Sequence, residues 1–328
     1  MSRQLTNDLT WSVSRARLFR SCQRAYYYQY YGAWGGWDAN APERARHLYA
    51  LKQMTSFPLW AGSIVHEVVR DALMHCRSTH FMPTAGELQE NARRRLNEGW
   101  LQSRKQLWKS DPKRNTNLFE HYYAEEGSQV PQEEINALKA KVFDALEGFR
   151  NCELADLLPG LEEWRWGDVD LLTSFVAGEL PASGNAPKLP IKVWCALDFS
   201  YLGHDDKLHI IDWKTGGEHR EELRIQLACY ALYAMKTKGT PLEKISLEGV
   251  FLNDGGRTST YEISTDTIMA AQEQMLVSAG AMRAKLRDPL QNIADEEDFP
   301  CNGCGENCGR CPFQEVCPAA LGGNQDFF

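Results

Sequence analysis

Three features of this 328-residue sequence predict an α/β fold, a mixed central sheet flanked by helices. The runs IKVWCALDFSYL and KLHIIDWKTG read as paired strands about the turn-forming GHDDK. From about residue 161 onward, strand-like and helix-like segments alternate, as a sheet layered with helices requires. The composition, 43% hydrophobic and 24% charged, supplies enough apolar surface for a sizeable core.

In chain order, Ser12 or Ser14 is placed to cap a first helix through RARLFRSCQRAYYYQYY, where Leu18, Cys22, Tyr26 and Tyr30 recur at helical spacing. GSIVHEVVRDALMHC carries Ile64, Val65, Val68, Val69, Ala72 and Leu73 as an apolar stripe, leaving His66 and Arg70 on another face. Residues from about 85 to 151 pattern as two or three polar-rich amphipathic helices, broken near DPKRN and between Gly127 and Pro131. LEEWRWGDVDLLTSFVAG is strand-like, PASGNAPKLP is a loop, and the paired strands follow. HREELRIQLACYALYAMK reads as a helix, ISLEGVFLN and TSTYEIS pair around DGGR, and TDTIMAAQEQMLVSAGAMRAKLR is a long helix. An acidic DEED run and Pro300 lead into CNGCGENCGRCPFQEVC, which holds five of the ten cysteines.

No stretch approaches eighteen uncharged apolar residues, and MSRQLTNDLTWSVSRARLFR lacks the apolar core and cleavage site of a signal peptide. A cytoplasmic protein with no membrane partner is expected. In that reducing compartment clustered cysteines read as ligands, and the scattered Cys76, Cys152, Cys195 and Cys229 as small core hydrophobes. The net charge of −8 argues against nonspecific coating of nucleic acid, although Arg15, Arg17, Arg20 and Arg24, then Arg93, Arg94 and Arg95, form basic clusters. There is no helicase motif and no phosphate-cradling glycine loop.

ALDFSYLGHDDKLHIIDWKTG carries the chemistry. With GHDDK as the hairpin loop, symmetric pairing sets Asp198 opposite Asp212. Two carboxylates roughly 5 Å apart repel unless a cation lies between them. Lys214 projects from the same strand face as Asp212. Two hard oxygen ligands beside an ammonium are what metal-assisted phosphodiester hydrolysis needs: carboxylates for Mg²⁺ or Mn²⁺, and a lysine to orient water or offset developing charge.

On these residues the chain resembles the PD-(D/E)XK nuclease superfamily, specifically its RecB-like branch. The resemblance implies a restriction-endonuclease-like sheet, with Asp198 as first metal-binding acid and Asp212 and Lys214 as the D-x-K element. It also implies that Gln226 and Tyr230, in IQLACY, form the branch's Q-x-x-x-Y helix, and that His66, in GSIVHEVV, is a further metal ligand. Q-x-x-x-Y places both side chains on one helix face, suited to contacting a phosphate or supporting the lysine. GxxxHE, acid, D-x-K and Q-x-x-x-Y occur in the branch's order over about residues 60 to 235. The chain departs from the branch in having Cys195 where a Gly usually stands three residues before the first acid. Glu162 or Glu163 is a candidate for an additional acid.

The cysteines offer two overlapping sets. Cys301, Cys304, Cys308 and Cys311 have the spacing of a zinc knuckle. Cys308, Cys311 and Cys317 give C-x2-C-x5-C, similar to the carboxy-terminal signature of RecB-like nucleases that carry an iron–sulfur cluster, among them CRISPR-associated exonucleases and the AddB nuclease domain. That resemblance implies a [4Fe-4S] cluster whose fourth ligand is Cys22, a structural clasp joining the ends of the chain; Cys301 and Cys304 then have no assigned place.

The expected organisation is a helical segment at residues 1–56, a nuclease core at 57–295 with a helical insertion at about 80–151 forming a wall of the DNA channel, and a cluster segment at 296–328. The expected function is a metal-dependent deoxyribonuclease, an exonuclease on single-stranded DNA or duplex ends, in phage defence or DNA repair. Any unwinding would come from a helicase or other defence or repair partner. The alternatives are a DNA-binding or scaffolding subunit with the nuclease fold, and a zinc-ribbon interaction protein.

Overall fold

The computed structural model describes residues 6–125, 128–182, 187–217, 220–301 and 308–319. Gly127, Cys304 and the middle of the loop expected at 181–190 lie outside the described residues. The chain opens with a strand β1 (Thr10–Trp11) and three short helices, α1 (Val13–Ser21), α2 (Gln23–Tyr27) and α3 (Glu43–Lys52). Helix α4 (Phe57–Thr79) leads into α5 (Ala85–Arg104), α6 (Phe119–Tyr122), α7 (Gln132–Asn151) and α8 (Glu153–Leu157). Strands β2 (Trp166–Leu180), β3 (Leu189–Leu202) and β4 (Leu208–Lys214) precede α9 (Arg220–Tyr233). The hairpin of β5 (Ile245–Phe251) and β6 (Arg257–Thr260), then α10 (Thr265–Arg283), complete the layered part.

Among the described residues the strands form one mixed sheet in the order β1-β3-β4-β5-β6, with β2 also paired to β3. β3 and β4 are antiparallel with Leu202 opposite Leu208 and Phe199 opposite Ile211, the register the GHDDK turn dictates. The ladder stops there, one residue short of Asp198 and Asp212. β4 and β5 run parallel, which requires the crossover that α9 supplies. β2 occupies one edge of β3 along its length. The other edge is shared by β1, at Lys192 and Val193, and by β4, from Phe199 onward. Between them, residues 194–198 have no strand partner on that edge among the described residues, and the sheet opens into a cleft.

Alternation along β4 feeds two cores. Ile210 packs with α1, α9 and α10, while its neighbours Ile211 and Trp213 pack with α4 and α7. The stripe Ile64, Val65, Val68, Val69, Ala72 and Leu73 of α4 is buried in that second core. Gly148 lets α7 touch the chain just after β5; a Cβ there would stand 1.9 Å from the Leu252 carbonyl oxygen. Cys76, Cys152, Cys195 and Cys229 are all buried.

Three local features differ from the sequence reading. The first helix is not continuous: Cys22 is extended (φ −159°) between α1 and α2, and its sulfur accepts the Ala25 amide at 3.5 Å. The cause is tertiary, since the Arg24 amide donates to the Pro300 carbonyl at 3.2 Å. The amino-terminal segment also contributes β1, a strand too short for pattern recognition. Glu162 and Glu163 precede β2 in and beside a helical turn, not on a strand. Glu162 pairs with Arg165, whose guanidinium donates to the Gly203 carbonyl beside the hairpin turn, at the opposite end of β4 from Lys214.

Candidate active site

The cleft beside β3 is where the charged residues of β4 emerge. Asp212 and Lys214 flank Trp213, so while Trp213 enters the α4 core the other two face α9. Asp212 is only 1% exposed. From α9, one helical turn apart, Gln226 and Tyr230 reach it. The Gln226 amide nitrogen donates to Asp212 Oδ1 at 2.8 Å and to Tyr230 Oη at 2.6 Å. Its oxygen accepts from Lys214 Nζ at 2.9 Å. The Tyr230 hydroxyl donates to the Ala196 carbonyl at 2.6 Å, inside the unpaired stretch of β3, with Asp212 Oδ1 a second acceptor at 3.1 Å.

Asp198 joins this network to α4. Its Oδ2 accepts the Trp213 amide at 2.8 Å, and its Oδ1 lies 3.1 Å from His66 Nδ1. Gly62, one turn before His66, lies against the end of β4: a Cβ there would stand 3.2 Å from Thr215 Oγ1. The small residue therefore lets α4 lie close to the end of β4. Asp170 was missed by sequence reasoning. It falls between the pairs Val169–Phe199 and Leu171–Leu197, hence alongside Asp198, and it pairs with Arg70, one turn beyond His66. Its left-handed backbone (φ 49°) interrupts the strand pattern that would have located it.

The electrostatics are those of a site short of positive charge. Burial, reinforced by the charge of Asp198, pushes the Asp212 carboxyl up from 3.8 to about 6, against the opposing pull of Lys214 and His66. Asp212 Oδ2 is buried and has no hydrogen-bond partner, although Lys214 Nζ lies 2.6 Å away out of line as a bare countercharge. Burial lowers His66, but Asp198 outweighs it and the imidazole is raised overall. Among the described residues no three His, Cys, Asp or Glu side chains form a ready-made metal cage. The donors nevertheless suit Mg²⁺ or Mn²⁺, because Mg²⁺ keeps several waters and takes only one or two carboxylates. The orphaned Asp212 oxygen is the atom such an ion would satisfy.

A cavity of about 520 Å³ opens onto Lys214, Gln226 and Tyr230, bounded on the far side by Ser12 and Arg17 of the α1 start. Cys195 borders it but is 7% exposed, with burial pushing its thiol up to about 12, so the bulk that replaces the usual glycine is absorbed by the core. Much of the basic clustering is used internally. Arg15 binds Thr10, Arg24 binds Glu296, and Arg95 binds Glu67 and Asp71.

The structure also brings the segment around Cys22 together with the cysteines that follow Pro300. Cys22, Cys301, Cys311 and Cys317 pack on one small core with Tyr28 and Phe313. Burial, with added repulsion from Cys22, Cys317 and Cys308, pushes the Cys311 thiol up to about 11. The Cys301 and Cys317 sulfurs are 3.8 Å apart. Arg24 Nε donates to the Phe299 carbonyl at 2.7 Å and Tyr28 to Glu296 at 2.8 Å, fastening the segment that leads into the cysteines. Soft thiols gathered from both termini are the donor type that iron–sulfur clusters and zinc take.

A model of the PD-(D/E)XK nuclease superfamily matches residues 10–318. No curated protein matches the chain. No helix among the described residues is long and apolar enough to cross a membrane.

Proposed function

Since the chain belongs to the PD-(D/E)XK nuclease superfamily, we propose that it is a metal-dependent deoxyribonuclease of the RecB-like branch, an exonuclease on single-stranded DNA or duplex ends. The observation that carries this reading is the network of Asp212, Lys214, Gln226 and Tyr230 in the cleft, joined through Trp213 to Asp198 and His66. Asp198, Asp212 and His66 would hold Mg²⁺ or Mn²⁺. That ion supplies a water of lowered pKa and a polarised phosphate.

The chain's own residues do the rest. Asp212 and Gln226 fix the Lys214 ammonium at the cavity wall, aimed where charge develops as a phosphodiester is attacked. Tyr230, anchored on the Ala196 carbonyl, holds Gln226 in register. Cys22, Cys308, Cys311 and Cys317 would hold a [4Fe-4S] cluster with a structural role, closing the chain on itself.

The experiment is digestion of DNA labelled separately at each end, single- and double-stranded, by anaerobically purified protein with Mg²⁺ or Mn²⁺. Asp212→Ala and Lys214→Ala should each lose at least about 100-fold in rate, the scale of a removed transition-state contact. Cleavage by either variant at the parent rate would overturn the assignment.

A further inference from the structure

The unpaired edge of β3 carries a side chain that the proposed chemistry does not use. Trp194 is 38% exposed and borders the same cavity as Lys214, Gln226 and Tyr230. Alternation puts Trp194 and Ala196 on one side of β3, with Trp194 about 13 Å along the strand from Asp198 at the usual strand rise. Leu172, opposite Ala196 on β2, borders the cavity too and is 67% exposed. Lys192 Nζ lies over the Trp194 ring, 5.5 Å from its centroid, and Lys214 borders the same cavity.

The indole and the leucine are large apolar groups left partly exposed on the cavity wall, a surface that something flat and apolar can cover. We propose that Trp194 is the stacking platform for an unpaired base of the bound strand, a subsite that selects single-stranded over duplex nucleic acid; this deepens the nuclease reading and rests on it. A base within a duplex has both faces stacked already and offers none to an indole, whereas an unpaired base does. Lys192, over the indole, is then placed to face a phosphate flanking the stacked nucleotide. The cavity, at about 520 Å³, is in the range of sites that take small organic ligands, enough for a single base.

The test uses the full chain carrying Asp212→Asn, so that substrate is bound and not consumed, with Mg²⁺ and fluorescence anisotropy of a labelled oligothymidylate and of a blunt duplex of equal length. Adding Trp194→Ala should weaken single-strand binding by about 5- to 100-fold, the range for a lost base–aromatic stack. Trp194→Phe should restore most of it, and duplex binding should not change. Should Trp194→Ala melt early, Trp194→Leu, which keeps apolar bulk without a ring face, is compared with Trp194→Phe instead. Single-strand binding at the parent strength, or equal losses on single strand and duplex, would overturn the subsite. If the parent chain with Mg²⁺ neither binds nor cleaves either DNA, the nuclease reading itself falls.

Discussion

Gln226 grips Asp212 through one end of its amide, at 2.8 Å, while the other end holds Lys214 at 2.9 Å. An amide carries its donor and its acceptor on separate atoms, so one side chain can hold an anion with one end and a cation with the other. The pair is thus fixed from α9 rather than from the strand that carries it.

Gln226→Ala should therefore lower kcat by about 10- to 100-fold, as loss of an orienting contact does, with a smaller change in KM. Gln226→Glu keeps the acceptor for Lys214 but sets a carboxylate against Asp212, so it should be no better than Ala. Steady-state cleavage of labelled DNA checks both.

The raised Asp212 carboxyl has a consequence for stability. Between its ordinary 3.8 and about 6 the folded chain keeps a proton that the unfolded chain has released. This contribution is therefore largest below that window and is lost as pH rises through it. Urea melts of metal-free protein should show stability falling across the window relative to Asp212→Asn, in which that contribution is absent. Metal binding must expel the same proton, so affinity for Mn²⁺ should rise over the same interval, measurable by calorimetry in buffers of different ionisation heat.

At the other site, Cys22→Ser should lose iron and the visible absorbance of a cluster, and should expose the carboxy-terminal segment to protease. Cys301→Ser should retain iron despite the 3.8 Å contact with Cys317. Iron and zinc per chain, measured after anaerobic purification, check both; loss of iron from the Cys301 variant would displace Cys308 or Cys317 from the ligand set.

Gly148→Ala should destabilise the fold by about 1–3 kcal/mol, because the added methyl meets the Leu252 backbone and one of the two segments must move. Thermal denaturation is the measurement, and the effect should appear without loss of specific activity in the remaining folded protein.

What could be read from the sequence was what local pattern decides. The GHDDK turn and the alternation around it set the β3–β4 register, and with it the neighbourhood of Asp198, Asp212 and Lys214. The spacing of Gln226 and Tyr230 placed them on one helix face. What escaped depends on contacts between distant segments. Helical periodicity runs unbroken through Leu18, Cys22, Tyr26 and Tyr30, yet the helix breaks at Cys22, where the amide of Arg24 is claimed by Pro300. β1 exists because two residues find an edge of β3. The position of Asp170 depends on a backbone conformation that no side-chain pattern reports.

The stretch of β3 left without a strand neighbour is also a hazard. Unsatisfied carbonyls and amides along a sheet edge are a template for another chain to add to, the first step of aggregation. Here the Tyr230 hydroxyl caps the Ala196 carbonyl and residues of α1 line the same cleft, which removes part of that template from a stray strand. The residue proposed to brace the active site is therefore also a gatekeeper, with one hydroxyl serving both the cleft and the sheet edge.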